Sequence, residues 1–140
     1  MTESSGEKAL LAAIIAVGSE LLTPDKVDTN SLFLTEELNN IGFKVAQKMI
    51  VGDDSLELES AFRHSCSVAP LVIVTGGLGP TEDDITREVI ASVLGLPLET
   101  EQAVFEEIEK RFTERSLRMP EINRRQAEVP RGAKLSLIHI

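Results

Sequence analysis

A single cysteine, Cys66, stands in a chain of 140 residues, so no internal disulfide can form. No basic stretch followed by an apolar stretch and a small-residue cleavage site opens the chain, because Met1 to Glu7 is polar. The apolar run from Ala9 to Val17 is too short to cross a bilayer, which takes about 20 residues in a helix. Basic residues are few. Lys and Arg number 14 against 23 Asp and Glu, and the formal charge of -9 opposes nonspecific binding to nucleic acid or to an anionic membrane surface. Internal repeats and low-complexity segments are missing too. Together these absences lead to the expectation of a soluble cytoplasmic protein with neither nucleic acid nor membrane as partner. Hydrophobic residues make up 42% of the chain, enough for one core, and one domain is expected over residues 9–134 behind a disordered N-terminus at 1–8.

What is present centres on Leu71 to Glu88, LVIVTGGLGPTEDDITRE. An apolar run passes through Thr75 into Gly76, Gly77, Leu78, Gly79 and Pro80, then into a polar segment with helical spacing. This reads as strand, glycine turn and helix N-terminus in succession, with the helix running from about Glu82 to Leu94. Glycines allow backbone N–H groups close to an anion, and a helix N-terminus adds unpaired donors and a positive dipole end. Glu82, Asp83 and Asp84 would repel that anion unless a divalent cation bridges them or they take part in chemistry.

The other segments alternate between strand and helix. Leu10 to Val17 is aliphatic without alternation, as a parallel strand buried on both faces would be. A polar connection follows Gly18, and residues 30–41 carry a stripe of Leu34, Leu38 and Ile41, with Asp28, Thr29 or Asn30 as cap. Phe43 to Val51 alternates as a strand near a sheet edge. Asp53 and Asp54 lead into a helix to about Cys66 with Leu58, Ala61 and Phe62 inward and Cys66 packed. Glu101 to Phe112 is amphipathic, and a more polar stretch holding Arg115, Arg118, Arg124 and Arg125 contains a short helix at Glu121 to Ala127. The order βαβαβαα predicts an α/β fold, a three-layer α/β/α sandwich with a mainly parallel sheet. The final residues 135–140, LSLIHI, match the translation of a transposon-derived adapter, so the natural chain is expected to be cut near Lys134 and the domain to be incomplete at its C-terminus.

In such a sheet, ligands lie beyond the carboxyl ends of the strands. Three groups stand at strand ends: Gly18, Ser19 and Glu20; Asp53 and Asp54; and Gly76 to Asp84. The glycine turn is not a Walker A loop, since no Lys-Ser or Lys-Thr follows, and it lacks GxGxxG spacing. Each acidic residue has two readings. Thr81 with Asp84, and Asp54 with Glu57, are spaced as capping boxes, whereas Glu20 and Asp53 directly follow strands. Ser19 and Asn30 either orient a ligand or cap a helix, and the arginine group is either a solvated face or a phosphate contact.

The runs AVGSELL at 16–22, DTNS at 28–31, GDD at 52–54 and TGGLGPTEDDIT at 75–86 resemble the N-terminal domain of the competence/damage-inducible protein A (CinA) family, which is similar to molybdopterin-binding domains of molybdenum cofactor biosynthesis. The resemblance covers residues 9–134. It implies a nucleotide or pterin phosphate in the strand-end crevice and, for the CinA branch, metal-dependent hydrolysis of ADP-ribose to AMP and ribose 5-phosphate. The alternative it leaves is a molybdopterin or nucleotide-phosphate binding module without turnover. Carried over, Asp84 and Asp53 would be the catalytic carboxylates and hold a divalent ion, Mg²⁺ or similar, together with substrate phosphates. Gly18, Ser19, Glu20, Asn30, Thr75, Gly76, Gly77, Gly79, Pro80 and Thr81 would line the phosphate and substrate site. The family also implies a homo-oligomer. The resemblance also implies further strands past residues 128–133, carrying an Asn and a Gly-Thr-Ala-Pro-Gly motif, and in two-domain members a C-terminal amidohydrolase domain; these are expected to be missing from this sequence.

Overall fold

In the computed structural model, residues 10–136 are described. The expectation for residues 1–8 lies outside them, as do residues 137–140 of the tail. Leu135 and Ser136 are exposed and without regular structure. The chain divides into two compact units, residues 1–75 and 76–140.

The first unit is built on β1 (Leu10–Val17), α1 (Thr29–Asn40), β2 (Phe43–Val51), α2 (Ser55–Val68) and β3 (Leu71–Thr75). Its sheet has the order β2-β1-β3, with both pairings parallel. The central place of β1 explains its sequence. Residues 12 to 17 are buried without a break, because alternate side chains meet cover on both faces. Ala12 and Ile14 pack with Leu38 and Leu34 of α1 and with Phe43, Val45, Leu71 and Ile73 of the flanking strands. Leu58, Ala61, Phe62 and Ser65 form the buried stripe of α2, which packs on all three strands.

Both helices begin where a carboxylate takes their first orphan donors. Asp28 accepts from the Ser31 N–H at 3.0 Å and from its hydroxyl, and Asp54 accepts from the Leu56 and Glu57 N–H groups at 2.9 Å each. Asp54 is thus a helix cap. Ile41 leaves the expected stripe: α1 stops one residue earlier, and Ile41 is 69% exposed as its C-cap. Cys66 is exposed and free, not packed, because the i, i+3, i+4, i+7 stripe of α2 falls on Ser65 and leaves its neighbour a hundred degrees away.

The second unit holds α3 (Thr86–Leu94), β4 (Leu98–Thr100), α4 (Gln102–Glu114), a 3₁₀ segment (Glu121–Ala127) and β5 (Glu128–Pro130). Gly95 ends α3 in the left-handed conformation, φ 66°, and Val104, Phe105, Ile108 and Phe112 of α4 are half-buried. The antiparallel pair β4-β5, separated in sequence by α4 and the 3₁₀ segment, is not signalled by strands of three residues. It is closed by the Arg131–Glu99 pair at 2.6 Å and by the Glu101 N–H on the Ala127 carbonyl at 2.8 Å, which bring the 3₁₀ segment back beside β4. Among the described residues no helix is long and apolar enough to cross a membrane.

The main departure concerns the start of α3. It begins at Thr86, not at Glu82, so Glu82, Asp83 and Asp84 belong to a loop and not to a helix's first turn. The Thr86 hydroxyl donates to the Gly76 carbonyl at 2.8 Å and its N–H to the Gly77 carbonyl at 3.1 Å. Those two bonds draw the start of α3 against the start of the loop, and the eight residues between them are left to arch outward.

Candidate functional site

In the first unit the strand ends are tied by a reciprocal pair. The Ser19 N–H donates to an Asp53 carboxylate oxygen at 3.2 Å, and the Asp53 N–H donates to the Ser19 hydroxyl at 2.9 Å. Behind them the Gly18 N–H reaches the Val51 carbonyl at 2.9 Å. Gly18 has φ 155°, and an added Cβ would lie 2.6 Å from both carboxylate oxygens of Glu20, so the Glu20 side chain folds back over it. Ser19, Glu20 and Asp53 are exposed and grouped, as expected of residues at strand ends. Asn30 stands exposed on the first turn of α1, and Thr75 closes β3 opposite Ala16.

In the second unit the loop from Gly76 to Ile85 is organised around one carboxylate. Gly76 and Gly77 take φ of 86° and 62°, which a side chain would resist. The chain then turns through Leu78, Gly79 and Pro80 to Thr81, whose N–H and hydroxyl both donate to Asp84 Oδ2, at 2.9 Å and 2.6 Å. Thr81 and Asp84 therefore make the return half of a capping box without a helix following at once. Glu82 and Asp83 are exposed, so of the three acids only Asp84 is engaged by the loop. The Thr81 hydroxyl, more than any other group, holds the Asp84 carboxyl below the usual range. Burial opposes this, while the Thr81 and Gly79 backbone N–H groups and the Arg87 charge assist it, so the group is ionised at neutral pH.

Two arginines complete the loop. The buried Arg87 donates to the Leu78 carbonyl and, at 2.9 Å, to the Gly79 carbonyl. Arg125 donates to the Pro80 and Thr81 carbonyls at 3.2 Å and 2.7 Å and to the Asp84 carbonyl at 3.4 Å, and it pairs with Glu88 at 2.7 Å. Of the four arginines set apart by the sequence, Arg125 is thus directed at the protein's own loop, and Arg124 lies 5.3 Å over the Phe105 ring. Neither Arg87 nor Thr86 was marked by the sequence. A guanidinium that serves backbone carbonyls leaves no spacing signal.

Gly79 is the closest approach in the loop, since a Cβ there would fall 2.5 Å from Asp84 Oδ2. Gly79→Ala is therefore expected to push the carboxylate off Thr81 and cost roughly 1–3 kcal/mol in denaturant unfolding, as overpacking does. A change within about 0.5 kcal/mol, the range of indifferent surface substitutions, would show that the loop absorbs the methyl group.

A metal fits this chain in one way only. Among the described residues no three His, Cys, Asp or Glu side chains converge, so a cage made wholly of protein ligands is not available. Mg²⁺ is commonly held by one or two carboxylates with substrate phosphates supplying the rest, and the ionised Asp84, or Asp53 in its own unit, suits that donor set.

Residues 13–136 match the profile of the family described as "Probable molybdopterin binding domain". The fold agrees: the tungsten cofactor synthesizing protein MoaB of Pyrococcus furiosus superposes with a TM-score of 0.56 at 24% identity, over 88% of this chain and 79% of that one. The class is that of the molybdopterin-binding domains, α/β folds with a parallel sheet.

Within this class the similarity is to CinA. The CinA protein of Thermoplasma acidophilum matches with a TM-score of 0.79 and 33% identity, over 90% of this chain and 73% of that one. A CinA-like protein of Solibacter usitatus is 50% identical over 122 residues, and one of Koribacter versatilis 49% over 126. The chain belongs to the molybdopterin-binding domain family, in its CinA branch. It covers 87% and 90% of its own length in the last two matches but spans 29% and 30% of the relatives' length.

Proposed function

We propose that this chain binds a nucleotide by its phosphates at the loop from Gly76 to Asp84 and hydrolyses the pyrophosphate, ADP-ribose giving AMP and ribose 5-phosphate. The observation that carries this reading is the Asp84 carboxylate, kept ionised by Thr81 inside a glycine-rich loop at the start of α3. In the hydrolysis the water oxygen bonds to one phosphorus as the bond from that phosphorus to the bridging oxygen breaks; the other phosphate leaves with the bridging oxygen, and the water gives up a proton. That step needs an oriented water and relief of charge on the phosphate oxygens. A divalent ion, Mg²⁺ or similar, would supply the charge neutralisation, and Asp84 would hold it. Gly76, Gly77 and Gly79 would let the phosphates approach the backbone, Pro80 and Thr81 would shape the loop's rim, and Asp84 would orient the attacking water.

AMP release from ADP-ribose should require Mg²⁺, Mn²⁺ or Co²⁺ and stop in chelator. No release with any of the three sinks the hydrolase.

A second reading is a module that binds a molybdopterin-like or nucleotide phosphate without turnover, and the match to the family described as "Probable molybdopterin binding domain" supports it. Calorimetric titration separates the two, because binding that persists in chelator without product supports the module. Assembly as a homo-oligomer and a cytoplasmic location belong to the same proposal, and sedimentation of the purified chain tests the first.

A further inference from the structure

We propose that Arg125 is a positioning residue which sets, through a peptide plane of the loop, the Thr81 N–H that faces Asp84. The inference rests on the reading of Asp84 as the working carboxylate. In a trans peptide the carbonyl of one residue and the N–H of the next lie in one plane and point in opposite directions. The described residues contain no cis bond, so fixing one end of a plane fixes the other.

Arg87 takes the Leu78 carbonyl, and the same plane carries the Gly79 N–H. Arg125 takes the Pro80 carbonyl, and that plane carries the Thr81 N–H. The Thr81 N–H donates to Asp84 Oδ2 at 2.9 Å. The Arg125 guanidinium thus stands behind the plane it holds, and Asp84 stands in front. The remaining bonds add to the grip: Arg87 to the Gly79 carbonyl, and Arg125 to the Thr81 and Asp84 carbonyls.

Arg125 is itself braced. Glu88, a half-buried residue of α3, accepts from it at 2.7 Å, and the 3₁₀ segment that carries it is returned to this place by the antiparallel pairing of β4 with β5. Among the described residues, Arg87 Nε and Glu88 Oε2 have no hydrogen-bond partner.

A planar fork reaching several carbonyls at once is work for arginine, and lysine offers only a point charge. In the whole chain, amide hydrogen exchange at Thr81 is expected to quicken by about 10-fold in Arg125→Ala, with Arg125→Lys intermediate, while amides inside α4 stay within about twofold of wild type. With ADP-ribose and Mg²⁺, Arg125→Ala is expected to lower kcat by roughly 30-fold and to shift KM by less than about threefold, since a displaced carboxylate affects the chemical step more than binding. Unchanged Thr81 exchange in both variants, or faster exchange spread evenly over α3 and α4, overturns the positioning role. So does a loosened Thr81 amide with kcat intact. If wild type itself releases no AMP, the hydrolase reading fails, and the exchange measurement still decides whether Arg125 sets the Thr81 plane.

Discussion

Asp84→Asn is expected to lower kcat for ADP-ribose hydrolysis on the order of 10³-fold, the range seen when a general base or a charge-stabilising group is removed. Thermal and denaturant unfolding should move little. The amide is nearly the shape of the carboxylate, and its oxygen can still accept from the Thr81 N–H and hydroxyl that reach Asp84 at 2.9 Å and 2.6 Å. Exchanging charged for neutral acceptors in these bonds costs about 1 kcal/mol. The substitution therefore separates two jobs that one side chain performs, bracing the loop and carrying negative charge to the ligand. Equal turnover by wild type and Asp84→Asn would reduce Asp84 to a brace. The same change at Asp83, exposed in the loop, is the control for nonspecific charge loss.

The largest loss of stability is expected at Ile14. It is fully buried at the middle of β1, opposite Lys48 on β2 and Ile73 on β3, and it packs in the cluster with Leu38. Strands on both sides and α1 above leave little room for collapse around a cavity, so Ile14→Ala should cost about 3–5 kcal/mol. By the usual conversion of about 1.4 kcal/mol per tenfold, the folded-to-unfolded ratio drops more than a hundredfold. Ile41, which the helical spacing places on the buried stripe of α1, gives the contrast. At 69% exposed, its replacement by alanine should fall within about 0.5 kcal/mol of wild type. Urea unfolding of the two variants side by side checks both, and a smaller loss at Ile14 than at Ile41 would contradict the observed packing.

The contrast between those two isoleucines shows where sequence stops informing. The run from Leu10 to Val17 has no alternation because β1 is covered on both faces, so strand and parallel sheet follow from composition, whereas the place of β1 between β2 and β3 does not. The caps are local too: the sequence narrows the first to Asp28, Thr29 or Asn30 and offers Asp54 as the second, and the bonds to Ser31 and Glu57 decide both. The start of α3 is not local. Glu82, Asp83 and Asp84 have the acidic character of a helix's first turn, and only the bonds from Thr86 back to Gly76 and Gly77 show that they are held out of it.

The candidate site divides in the same way. Glycines and acids mark residues 76–84, though as a turn and a helix start, whereas the bonds between Ser19 and Asp53, 34 positions apart, carry no sequence signal. Arg125 bonds to residues 37 to 45 positions away, contacts that depend on the antiparallel pairing of two three-residue strands far apart in sequence. No periodicity encodes such a distance, and short strands carry too few residues to alternate visibly.

The loop that closes on Asp84 also bears on the kinetics of ligand encounter. Its planes are pinned from behind and its donors already face an anion that the chain itself supplies. The ordering entropy that a slack loop surrenders at the moment of binding was here lost during folding. If a phosphate binds there as proposed, its encounter would be governed by diffusion and by the displacement of water, with no rearrangement of the loop from Gly76 to Ile85 required first.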